Sequence, residues 1–128
     1  MKPKVCPALI AATLLFTPAF AAHADEIFSP ALPALGPSQR LECRIVNVTN
    51  ASRDVTIQSF DSTGAQTNAF TRTLVSGEAW GVSLPTTPAV SLYCKFTVKG
   101  NDRGFRASID VLDITTSPPT IVVALPAY

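Results

Sequence analysis

The sequence predicts an all-β protein, an immunoglobulin-like antiparallel β-sandwich of about seven strands with one disulfide between its sheets. Three observations lead there. From Leu41 onward, short β-forming runs are punctuated by Gly, Pro, Asn and Asp at roughly 8–12-residue intervals. No window shows a 3.6-residue hydrophobic period. Two cysteines, Cys43 and Cys94, fall on alternating runs far apart in the chain.

The 128-residue chain opens with Lys2 and Lys4, an apolar stretch from Val5 to Phe20 broken by Pro7 and Pro18, and then Ala22-His23-Ala24 before Asp25-Glu26. This is the layout of a cleaved secretory signal over residues 1–24, with Ala19-Phe20-Ala21 as a second cleavage site. The apolar run is too short and too Pro-broken to span a bilayer, which takes about 20 residues, so no membrane span is expected after cleavage. The expected location is periplasmic or secreted. Cleavage would remove Cys6, His23 and two of the ten basic residues but none of the nine acidic ones, leaving a chain of net charge −1 without histidine. Nucleic acid and anionic membrane both select basic surfaces, and neither is expected as a partner.

Residues 25–40 carry Pro30, Pro33 and Pro37, which forbid a helix and suit an extended arm or an irregular edge strand. The domain proper is expected over residues 41–128. Leu41, Cys43 and Ile45 alternate inward until Asn47, where Val46 and Val48 suggest a register break. Val55 and Ile57 mark the next strand. Asp61-Ser62-Thr63-Gly64 reads as a turn ending in a glycine of positive φ. Strands follow at Phe70 to Val75 and at Ala79 to Leu84, the second stopped by Pro85 and Pro88. Val90, Leu92, Cys94, Phe96 and Val98 alternate with polar residues, as do Phe105, Ala107, Ile109 and Val111. With Gly100 to Gly104 as the turn, these two runs are expected to form a hairpin in which Val98 faces Phe105 and Cys94 faces Ile109. Thr120 to Leu125 is the last strand, fenced by Pro118-Pro119 and Pro126.

In an oxidising compartment the remaining even pair of cysteines reads as a disulfide rather than as metal ligands. Closing a loop of about 50 residues, it stabilises by about 4 kcal/mol in the chain-entropy model. The core Trp of true immunoglobulin domains has no counterpart, because Trp80 lies too far beyond Cys43.

Leu41 to Val48, Phe60 to Gly64, Ser76-Gly77-Glu78, Tyr93 to Val98 and Phe105 to Ser108 together resemble a group of small exported bacterial proteins of unknown function. The resemblance implies a Gram-negative envelope or secreted location and an immunoglobulin-like sandwich. It supplies no activity and no site residue.

Catalysis is not expected. Without histidine, Ser-His-Asp and Cys-His chemistry are excluded. Ser91 and Lys95 share a strand face but sit about 13 Å apart along it, beyond hydrogen-bond reach. Asp61-Ser62-Thr63-Gly64-Ala65 resembles the Asp-Thr-Gly-Ala of retroviral-type aspartic proteases, but an extra Ser intrudes and no second signature follows. No loop carries alternating oxygen ligands for calcium, and no cofactor or metal is expected. Asn47-Val48-Thr49 and Asn50-Ala51-Ser52 both match the N-glycosylation pattern.

Two features could meet a partner. Lys95, Lys99, Arg103 and Arg106, beside Tyr93, would gather on the outer face and tip of the expected hairpin and suit an acidic protein or a glycan. Thr120 to Leu125 is apolar on both faces and could add to a neighbour's sheet. The sequence thus points to a non-enzymatic exported binding or accessory module, or alternatively to a fibre or adhesin subunit assembled by strand addition.

Overall fold

The computed structural model describes residues 24–33, 36–84, 91–100 and 102–128. The expected signal segment, apart from Ala24, and the Pro85–Pro88 stop lie outside the described residues. Among the described residues, nine strands make two antiparallel sheets: β1 (Ala24–Phe28), β2 (Leu32–Pro33), β3 (Gln39–Asn47), β4 (Arg53–Asp61), β5 (Gln66–Leu74), β6 (Ala79–Ser83), β7 (Ser91–Lys99), β8 (Phe105–Asp113) and β9 (Thr120–Pro126). Sheet 1 runs β1-β7-β4-β5, with β2 also on β7; sheet 2 runs β6-β3-β8-β9. The all-β sandwich is therefore observed. The proline-rich arm supplies β1, β2 and the first residues of β3, so two strands come from a segment where prolines confine pairing to an edge.

Alternation explains the core. Leu41, Cys43 and Ile45 on β3, Val55 and Ile57 on β4, Leu92, Cys94, Phe96 and Val98 on β7, and Phe105, Ile109 and Val111 on β8 are all buried between the sheets. Ile27 of β1 and Leu74 of β5 complete the layer. Each such side chain contributes about 1.5–3 kcal/mol by leaving water. At the centre Cys43 and Cys94 are bonded, their Cα atoms 5.9 Å apart, tying β3 to β7 across the sandwich.

The expected hairpin is not formed. Phe96 pairs with Ile27 and Ile57, not with Ala107, while β8 lies in the opposite sheet with Ile109 beside Cys43. Between them the chain crosses from one sheet to the other through a single 3-10 turn at Asp102–Gly104. Here the topology also departs from the immunoglobulin order, in which the strand following the second cysteine stays in that cysteine's sheet. No register break occurs at Asn47 either: β3 keeps alternating, and Asn47 points inward and is buried.

The Asp61 turn forms as expected, with Gly64 at φ 84°. Asp61 Oδ1 accepts from Thr63 Oγ1 (2.6 Å), Thr63 N (2.8 Å) and Ala65 N (3.0 Å). These bonds, that of the Thr63 hydroxyl foremost, hold the carboxyl below its usual range.

The corner of the sandwich is stitched by backbone. Phe28 N–H donates to Tyr128 O (2.7 Å) and Tyr128 N–H to Phe28 O (2.9 Å), so the chain beyond β9 leaves sheet 2 and pairs with β1 of sheet 1. Among the described residues, no helix is long and apolar enough to cross a membrane.

Candidate binding surface

Because β7 and β8 lie in different sheets, the basic residues expected on one surface divide between two. Tyr93, Lys95 and Lys99 lie on the outer face of sheet 1. Tyr93 stacks on Phe60 at 5.2 Å between ring centroids. Lys95 Nζ lies 2.6 Å from Glu26 Oε1 and 5.7 Å from the centroid of the Phe28 ring. Its charge is engaged by β1, which lies in the segment expected as an extended arm or an irregular edge strand. Lys99 is exposed at the end of β7 and Arg103 is exposed in the crossing turn. Arg106 points outward from sheet 2, on the far side of the sandwich. Its Nη1 donates to Phe105 O (2.8 Å) and Arg103 O (3.3 Å).

The outer face of sheet 2 holds a charged network whose members lie far apart in the chain. Arg44 Nη2 lies 2.7 Å from Glu42 Oε1, and Arg44 Nε lies 3.3 Å from Asp110 Oδ2. Ser108 Oγ donates to Asp110 Oδ1 at 2.7 Å. Asp110 is only 1% exposed, and a buried carboxylate needs such compensation. The hydrogen bonds that Arg44 donates to Glu42 raise the Arg44 pKa further above its ordinary value, opposed by partial burial. Pairing makes the room: Gly81 stands opposite Arg44, and a side chain there would collide with the Glu42 carboxylate.

Beside this network a shallow cavity of about 330 Å³ opens between Arg44 and Arg106, floored by Val46, Ser108, Ala124 and Pro126. Arg44 is held by its two carboxylates and Arg106 turns back to backbone carbonyls, so both guanidiniums serve mainly as walls.

The cavity borders β9, and β9 is where exposed apolar surface concentrates. Ile121, Val122 and Val123 are all exposed, Val122 at 54%, and Phe28 and Tyr128 are exposed at the stitched corner. On one side β9 pairs with β8; the register slips between Val111 and Leu112, whose partners are Val123 and Ile121, leaving Val122 as an extra residue. On the other side, among the described residues, the strand has no neighbour in its sheet. Thr120 to Leu125 therefore keeps alternate N–H and C=O groups unpaired among the described residues. Pro126 offers no N–H, and Phe28 closes the edge just beyond it.

The other edges differ. β5 is dominated by Gln, Asn, Thr and Arg, β6 has five residues, and the β1–β2 edge is interrupted by Pro30 and Pro33. These are devices by which sheets avoid edge-to-edge association. Between Thr120 and Leu125, β9 has no charge, no proline and no polar run; its one irregularity is the extra residue at Val122. The sequence signal was present in that uncharged run, but its exposure was not, since a central strand reads the same way.

No family model matches the chain, and no curated protein matches it. Among solved structures it is similar to the crystal structure of Thermotoga maritima 1070, at 9% sequence identity and a TM-score of 0.57, over 80% of this chain and 91% of that one. At that identity the likeness concerns the fold alone.

Proposed function

We propose that the chain is a non-enzymatic, exported binding module that takes an extended polypeptide segment onto the free edge of β9. The carrying observation is the run Thr120 to Leu125: apolar, uncharged, exposed and unpaired on one side. An extended segment laid there gains main-chain hydrogen bonds from the edge and side-chain contacts from Ile121, Val122 and Val123. Export is supported by the basic and apolar leader pattern of residues 1–24 and by the disulfide. A fibre subunit would need a strand to donate. The arm best suited to that role is already spent on β7 of its own chain as β1 and β2, which favours the binding module.

The test uses a fluorescein-labelled, amide-capped peptide of alternating Val and Thr with the dilute protein. Saturable anisotropy is expected, with amide chemical-shift changes centred on Ile121 to Ala124. Ala124→Pro, which places a donor-free residue in the edge, should abolish binding while the fold persists. Shift changes confined to the outer face of sheet 1, or undiminished binding by Ala124→Pro, would refute the proposal.

A further inference from the structure

The occupant of the β9 edge can be named by chemistry. An uncharged, apolar, β-branched edge strand is matched best by a strand of the same character, and this chain displays one, namely β9 itself. We infer that two copies of the chain pair antiparallel through β9, joining their second sheets into one continuous eight-stranded sheet. This rests on the reading of β9 as a strand-capturing edge and adds who is captured.

Three features support self-pairing. A two-fold interface brings the same patch of both copies together and must tolerate its own charges. Thr120 to Leu125 has none, so no like charges meet across the antiparallel ladder. The edge is also bounded at both ends, by Pro118-Pro119 before it and by Pro126 with the Phe28–Tyr128 stitch after it. A partner strand of the same length fits this window, whereas a longer segment would run into the stitched corner. Finally, the contact would cover Ile121, Val122 and Val123, three of the large apolar side chains that the single copy leaves in water. Because the same edge serves both copies, association stops at two and does not grow into a fibre.

A six-residue edge is small beside the roughly 1,200–2,000 Å² of stable complexes, so the dimer should be weak and visible by mass action. Sedimentation equilibrium over roughly 10–500 µM should show the mass rising from one chain to two and no further. Val122→Lys, at an exposed position, should shift association at least tenfold toward monomer by setting two ammonium groups close together. Val122→Thr, uncharged and β-forming, should keep it within a few-fold. Masses beyond two chains would overturn the closed dimer. A strictly monomeric chain that still binds the Val/Thr peptide would overturn self-pairing alone; a monomer that binds no peptide would remove the edge-capture reading as well. Association unaffected by Val122→Lys would place the contact elsewhere and equally sink the inference.

Discussion

At Asn47 the inward alternation of β3 ends in a completely buried polar side chain. Its Nδ2 donates to Ala51 O (2.9 Å) and Leu74 O (3.0 Å), and its Oδ1 accepts from Thr49 N (3.0 Å) and Thr49 Oγ1 (2.6 Å). One amide thereby shapes the β3–β4 loop and caps the end of β5, using its donors and acceptor as a buried polar group must. Asn47→Ala would leave the Leu74 carbonyl without its partner and release Thr49. Unsatisfied buried groups cost about 1–3 kcal/mol each, so the variant should lose about 2–4 kcal/mol in urea denaturation. An unchanged midpoint would mean that the loop holds its shape without the amide. The same burial separates the two glycosylation patterns: in the folded chain the Asn47 amide is inaccessible, while Asn50 is exposed.

Among the elements, β7 is the strand around which sheet 1 is built, and the arm is what covers its outer edge. Ser29 N–H donates to Cys94 O (2.9 Å), and the Ser29 hydroxyl accepts from Cys94 N–H (2.8 Å). Through this exchange the chain between β1 and β2 continues the pairing where β1 stops. Ser29→Ala leaves a buried N–H without an acceptor and should cost about 1–3 kcal/mol. Hydrogen exchange is the sharper readout, because the Cys94 amide should exchange much faster in the variant while that of Val98 stays protected. Equal protection at Cys94 would show that water or a shifted arm replaces the hydroxyl. Alternation along β3, β4, β7 and β8 made their inward faces legible in the sequence, and the Cys43–Cys94 link between sheets with them. It could not say which strands are neighbours. In a sandwich both sheets present the same kind of face to one core, so the inward residues of Phe105 to Val111 match those of β7 and those of β3 equally well. A self-consistent register is therefore no proof of pairing, and β7 is followed by a strand of the other layer instead of by its hairpin partner. For the same reason Arg106 could not be placed beside Arg44, nor Asp110 beside Ser108 and Arg44, before β8 was placed beside β3.

For the molecule as a whole, the two sheets are held by a packed apolar layer, by the backbone stitch between Phe28 and Tyr128, and by the disulfide. Only the last persists when the chain unfolds. Its effect falls on the unfolded state, where it ties together two positions 51 apart in sequence, and in the chain-entropy model that stabilises the fold by about 4 kcal/mol. Small domains have about 5–15 kcal/mol in total. A domain of about 100 residues shifts its melting temperature by roughly 4–8 °C per kcal/mol. Cys94→Ser should therefore melt roughly 15–30 °C lower than the oxidised protein, checked by calorimetry. The burial of both cysteines adds a kinetic consequence. Each is 0% exposed, so a reductant thiolate cannot reach either sulfur while the sheets are closed, and exchange requires that contact. Reduction by dithiothreitol should thus wait for opening and accelerate steeply with sub-denaturing urea, in step with the unfolding rate measured separately. If reduction instead proceeded at the rate of an exposed disulfide, independent of urea, the bridge would have to be reached by a local opening. The corner closed by Phe28 and Tyr128 would then be less firmly joined than its paired hydrogen bonds indicate.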